Sequence, residues 1–300
     1  MGLCVVVMTS EDAITGELSL GEIVSKTFDL FRRDFVRYFA IFAIAEVVIG
    51  LATLFAYSVV QLPAIPANPT SLSWVPGYFA AFFALYSIIV VATFVVVPIA
   101  EGTVIKMVAE TVEGRPVALR ASVTFVLSKL VGLWFLTLVV GVVVVLGSVA
   151  LIVPGIILGI MFCLAFPAFL LENTGVFGSL SRSRELVGHR WGKTFGTFLV
   201  IGLIILIISV VVTLVSGLFG SVGPVASAFL SSFYEPILPI ALTVYFFSNR
   251  ARITSPSQMR QATMGYGPIP QPGMKFCPNC GTQLPVSATS CANCGARQPI

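Results

Sequence analysis

Four cysteines near the C-terminus stand in two tight pairs, Cys277-x2-Cys280 and, ten residues later, Cys291-x2-Cys294. Two such pairs let four thiolates meet tetrahedrally around one Zn2+ at ~2.3 Å. Gly281 and Gly295 each follow the second cysteine of a pair. A metal-binding knuckle turns sharply there, and glycine takes up positive φ without strain. A site of four cysteines has no open position, so the expected single Zn2+ is structural. Two disulfides would need an oxidising compartment. A redox CxxC usually comes singly, on a thioredoxin-like domain that this chain lacks.

Two acids stand out for their surroundings. Glu46 and Glu235 lie inside long apolar runs, where a carboxylate costs on the order of 2.5–3.5 kcal/mol to insert in a bilayer. Glu46, Gly50, Thr53 and Tyr57 recur at helical spacing, as do Ser227, Ser231, Tyr234 and Glu235. Such stripes are expected to face other helices or water. Pro236 and Pro239 have no N–H for the carbonyls of Ser232 and Glu235, which predicts a kinked helix beside Glu235. Two readings of this intramembrane polar site stand. In one the acids hold helices together by hydrogen bonds; in the other they handle an ion or substrate, as broken helices do in some transporters.

Little else on the chain points to chemistry. His189, the one histidine, sits beside Arg190 with only Ser183 and Glu185 near in sequence, and no turn presents a nucleophile to it. No P-loop, GxSxG elbow, HExxH or Rossmann fingerprint occurs. No catalytic residue is assigned, and a non-enzymatic protein is expected. Cys163 reads as a packing residue, because apolar burial leaves a thiol inert. With Gly155, Gly159 and Pro167 it forms an i, i+4, i+8, i+12 series that predicts a helix-packing face.

The elements that carry these residues follow from hydropathy. Of 300 residues 57% are hydrophobic and only 10% charged, with mean hydropathy +1.01. A soluble domain carries roughly 25% charge. Six apolar stretches, at about 38–60, 77–100, 131–152, 154–173, 194–217 and 224–248, are each long enough to cross ~30 Å of hydrocarbon. The connections 61–76, 153–155 and 217–224 are uncharged. Every Lys and Arg lies before the first span, in 101–130, in 174–193, or after 249. With six spans all four basic regions share one side, the cytoplasm by the positive-inside rule, and both termini with them. The sequence thus predicts an all-α integral membrane bundle of six transmembrane helices plus interfacial helices, with a small zinc ribbon on a flexible linker.

Ser19 and Glu22 form a capping box, and Ile23, Thr27, Leu30, Phe31 and Phe35 follow at helical spacing. This stretch reads as an interfacial helix or as an extension of the first span. A similar helix is expected within 103–129, around "GRP" at 114–116. The divisions expected are a disordered N-terminus over 1–18, a transmembrane domain over 19–252, a Pro/Gly/Ser/Gln-rich linker over 253–274, and the ribbon over 275–300. No cleavable signal peptide is read in "MGLCVVVM", and Met8 is a second candidate start.

The stretches "LSLGEIVSKTFDLFRRDF", "PGIILGIMFCLAFPAFLLENTGVFGSLSRSRELVGHRWGKTFG" and "LTVYFFSNRAR" resemble a group of prokaryotic six-helix membrane proteins. That group is related to the glycerophosphodiester phosphodiesterase membrane domain. Pro154, Gly155, Pro167, Glu172, Ser183, Glu185 and Leu186 fill the places that carry the likeness, while Ser179 stands where Ala is usual. The resemblance covers 18–252 and implies a prokaryotic cell membrane. No phosphodiesterase domain is present, so that activity does not transfer. Residues 276–298 resemble the short zinc ribbons of many prokaryotic proteins.

A ~24-residue ribbon cannot build a core, so metal binding would provide its folding free energy. Only Lys275 and Arg297 flank it, too few cations for nucleic acid. The expected partners are the lipid bilayer and, through the ribbon, a cytoplasmic protein; a homo-oligomer is compatible with the sequence. The leading expectation is therefore a membrane protein whose ribbon is an interaction module. A transporter using Glu46 and Glu235 is the alternative, and an accessory factor in membrane-lipid metabolism a further one.

Overall fold

The computed structural model describes residues 14–64, 72–188, 190–220, 223–254, 274–276, 283–285, 287–290, 295 and 297. The chain divides into two compact units, 1–250 and 251–300.

The first unit is helical. Helix α1 (Leu20–Arg33) starts on the expected capping box: Glu22 N–H donates to Ser19 Oγ at 3.4 Å, and Ser19 N–H to Glu22 Oε2 at 2.6 Å. It is a separate element rather than an extension of the first span, because the chain breaks at Asp34 before α2 (Phe35–Val59). Its Val24, Phe28 and Phe31 pack around Ile201, Ile237 and Ala241 of later helices. The preceding segment, expected to be disordered to residue 18, is tied down at its end. Leu18 N–H donates to Ser248 Oγ at 2.9 Å, and Glu17 pairs with Arg190 at 3.0 Å and Lys193 at 2.5 Å.

Five stretches among the described residues are long and apolar enough to cross a membrane: α2, α3 (Val75–Val112), α5 (Leu130–Ala150), the pair α6 (Ile152–Phe162) with α7 (Ala165–Glu172), and α9 (Trp191–Gly217). At 1.5 Å per residue, α2 alone is roughly 37 Å long. Only 6% of the residues in the apolar windows of α3 and of α9 are buried inside the protein. Helices with so much uncovered apolar surface need hydrocarbon around them. The protein is membrane-embedded.

Helix boundaries differ from expectation where the core intervenes. The second apolar helix was expected to end near residue 100, with a separate helix inside 103–129. Instead α3 runs unbroken for 38 residues, through Pro98, to Val112. Its last turns are wrapped by other protein: Val104, Ile105, Met107, Val108 and Ala109 are buried. Ile105 joins Val126, Leu133, Leu136, Phe169 and Leu170 in the main core cluster. Helix α3 stops at the "GRP" turn, where Gly114 takes φ +67° and Arg115 N–H reaches back to Glu110 O at 2.8 Å. Helix α4 (Leu119–Ser128) follows.

Only Leu151, in an extended conformation, separates α5 from α6. The hairpin closes because Gly147 and Gly155 have no side chains. A Cβ on Gly155 would lie 2.8 Å from Ser148 Cα and 2.0 Å from its Oγ. The predicted packing face is thus real at Gly155 but absent at Gly159, where a Cβ would meet nothing within 4 Å. Pro167, which cannot donate to residue 163, accompanies the break between α6 and α7. Ser183 of α8 (Gly175–Val187) mends that break, accepting from Leu164 N–H at 3.2 Å and donating to Met161 O at 2.8 Å.

The sixth apolar stretch is broken rather than kinked. Helix α10 (Gly223–Ser231) ends before a turn at 232–236, and α11 (Ile237–Thr254) begins after it. The two prolines explain the interruption, since neither can extend the ladder.

The second unit contains β1 (Met274–Phe276) paired antiparallel with β2 (Gln283–Pro285), Phe276 opposite Gln283. Helix α11 runs to Thr254 and β1 starts at Met274; the rest of the expected linker over 253–274 lies outside the described residues.

Candidate functional site

The fold brings together the two acids singled out in the sequence. Glu46, in the fourth turn of α2, and Glu235, in the turn between α10 and α11, have carboxyl groups within hydrogen-bonding reach of each other. Two carboxyl groups can bond each other only if one carries a proton. Ser231, at the end of α10, also reaches Glu235. Glu101 of α3 lies close enough for its charge to act on Glu235. Hydropathy assigned Glu101 to a loop; its helical register with Pro98 and Ile105 was the available signal.

The pair adjoins an open-sided groove of about 640 Å³ between α2 and α10. Glu46, Gly50 and Thr53 line it from α2, and Ser227, Ala228 and Ser231 from α10. Three members of the predicted α2 stripe therefore share one surface. Tyr57 does not: it is 53% exposed on the outer surface. Thr53 donates to Ile49 O at 2.8 Å, which removes its hydroxyl hydrogen from the groove. The remaining lining is apolar, with Val47, Leu51, Leu54, Val225 and Phe229. Phe229 stacks edge-on against Phe39 and Phe233, each at 5.5 Å.

The charged residues outside the apolar stretches form a second cluster. Arg182 makes a two-pronged bond to Glu172, Nε to Oε2 at 2.7 Å and Nη2 to Oε1 at 3.1 Å, and Nη1 bonds Glu185 at 2.8 Å. Glu172 beside it pushes the Arg182 pKa further above its ordinary range, so the guanidinium stays charged. Arg250 of α11 approaches Glu172 at 4.0 Å and Glu113 at 3.9 Å, and Glu113 also bonds Arg115. Nearby, Lys106 pairs with Glu110 at 3.2 Å. Lys129 sits over the Phe125 ring at 4.7 Å and caps Leu170 O at 3.2 Å. Burial, and then the charge of Lys106, lower the Lys129 pKa. Ser183 serves the α6–α7 break and Glu185 serves Arg182, while His189 lies outside the described residues.

The four cysteines Cys277, Cys280, Cys291 and Cys294 also lie outside the described residues, but their flanks are informative. Phe276 pairs with Gln283 across the first pair, and Ser290 bridges Arg297 across the second. Partners are seven positions apart in both cases, and in the sequence one CxxC pair lies between each. Gly295 has φ +69°, as the second knuckle requires. Four soft thiolate donors in two such pairs fit a tetrahedral Zn2+.

Comparison with known proteins agrees at this end: residues 276–298 match the zinc-ribbon domain family. No curated protein and no solved structure matches the chain.

Proposed function

We propose that this is a non-enzymatic multi-pass protein of a cell membrane, whose zinc ribbon is a cytoplasmic protein-interaction module on a flexible linker. The observation that carries the reading is the ribbon itself: a zinc-ribbon match with all four cysteines in place, forming its own compact unit after the last helix. A closed four-cysteine site leaves the metal no catalytic position, so the folded surface is what the ribbon offers. Cys277, Cys280, Cys291 and Cys294 would hold the Zn2+, which contributes folding free energy and no reaction.

Six crossings and a cytoplasmic location for both termini belong to this proposal. Contacts among the four basic regions support it. Glu17 pairs with Arg190 and Lys193, Leu18 with Ser248, and Arg250 approaches Glu113. Helix α9 leaves this cluster at Arg190, and α11 returns to it at Arg250. The broken α10–α11 segment then makes the sixth crossing, and the shared face is the basic one. The family likeness of 18–252 rests on its motifs alone.

The test is crosslinking in native membranes with the intact chain and a Cys277→Ser/Cys280→Ser variant, followed by titration of any captured protein against the purified intact chain. An interaction module predicts saturable binding that disappears in the variant and on zinc removal. Equal capture by both forms, with the variant still inserted, rejects it.

A second reading is favoured by the meeting of Glu46 and Glu235: the bundle is a carrier that uses this pair. It predicts proton flux into proteoliposomes under an imposed pH gradient, lost in Glu46→Gln and in Glu235→Gln.

A further inference from the structure

The groove between α2 and α10 combines three properties seldom found together. It is large enough, at about 640 Å³, for a small molecule. Its walls are mostly apolar, and Val47, Leu51, Val225 and Phe229, which line it, are exposed on the outer surface of the bundle. It therefore opens sideways among lipid-facing side chains. Yet Glu46 lies in its wall with Glu235 and Ser231 beside it.

The charge there is unbalanced. No Lys or Arg occurs between Arg37 and Lys106, nor between Lys193 and Arg250. The titratable groups facing the pair are Glu101 from α3 and Tyr234 from the turn, neither of which is basic. The shared proton neutralises one of the two carboxyl groups and leaves the pair with a single negative charge. Phe229, at the groove wall, adds an aromatic face, which attracts organic cations.

We propose that this groove binds a hydrophobic organic cation that enters from the bilayer and displaces the proton shared by Glu46 and Glu235. An apolar body fills the groove, and the fixed positive charge takes the proton's place beside the carboxylates. The exchange balances: one positive charge enters and one proton leaves to water. An anion would meet two acids with no counter-charge, and a small hydrated metal ion would leave the apolar walls unused. The proposal rests on the carrier reading for its biological sense, but binding is measured without transport.

The experiment uses the full-length protein in nanodiscs, with tetraphenylphosphonium as the probe and uncharged tetraphenylmethane as its neutral counterpart. Calorimetry in buffers of different ionisation enthalpy reads both affinity and protons released. Saturable binding of the cation is expected, with about one proton released per cation and at least tenfold weaker binding in Glu46→Gln and Glu235→Gln. Gly50→Leu provides the variant that keeps both acids. A Cβ there meets nothing within 4 Å and Gly50 lines the groove, so the helix stands while the groove fills, and binding is expected to fall by at least tenfold. Absence of saturable binding by the folded wild type overturns the proposal. So does unchanged affinity in both Gln variants, or equal binding of the neutral counterpart, which would make the groove an acyl-chain seat. Cation binding with no proton flux in proteoliposomes upholds the site and rejects the carrier reading. Flux without cation binding does the reverse.

Discussion

Two glycines, Gly50 and Gly155, look alike in the sequence and differ in what they tolerate. Gly155 lies against the backbone of Ser148, so Gly155→Leu must push α6 off α5. The expected loss is about 3 kcal/mol, at the upper end of the overpacking range. Gly50→Leu meets open space and gains up to about 1 kcal/mol of helix propensity. Thermal unfolding in detergent, monitored by circular dichroism, should give opposite signs for the two. The Arg182–Glu172 pair is a further sensitive point. Arg182→Ala strips a two-pronged charged bond from half-buried Glu172 and should cost about 1.5–3 kcal/mol by the same measurement. Residue chemistry was legible where type and spacing suffice, as with Glu46 and Glu235, which meet, and with the zinc-ribbon family of 276–298. Glu101 was not, because a lone acid at the end of an apolar run reads as the start of a loop. Tyr57 shares a helical stripe with Glu46 and still faces outward, since spacing cannot say how far a neighbouring helix extends.

At the scale of elements, α1 shows local sequence and tertiary packing in agreement. The capping box sets its start, and Ile23, Thr27 and Leu30 are buried under it. The Ser19 hydroxyl, then the Ser19 backbone, hold the Glu22 pKa below the usual carboxylate value. A group with a depressed folded pKa stabilises fully above its unfolded value and loses that contribution as pH falls through the folded one. Protection of the α1 amides from hydrogen exchange should therefore weaken below about pH 4.3, and Glu22→Gln should remove that pH dependence. The capping box could be read directly; the prolines gave the place of the interruption after α10, but as a kink rather than the break that forms. The continuation of α3 to Val112 could not be read, because Glu101, Lys106 and Glu110 lower the hydropathy there. What keeps those turns helical is burial against α4, α5 and α7, through Ile105, Val126, Leu133 and Phe169. That is a contact between segments distant in sequence.

The whole molecule is two units with different sources of stability. The bundle is held by hydrocarbon outside and by a packed cluster around Ile105 within. The ribbon's described residues form two short strands and one isolated bridge, and in zinc-finger peptides metal contributes roughly 10–16 kcal/mol. A strong chelator should unfold residues 274–298 and leave the helices intact. Limited proteolysis should then cut only after the last helix, with circular dichroism at 222 nm nearly unchanged.

One long-range bond bears on how the protein is made. Leu18 leaves the ribosome well before Ser248, whose oxygen its amide needs and which lies 230 positions later. Synthesis at about 5–20 residues per second puts tens of seconds between the two. Through that interval α1 has neither Ile237 nor Ala241 to lie against. Helix α1 is thus fully seated only after α11 arrives, and a chain halted before α11 would expose it.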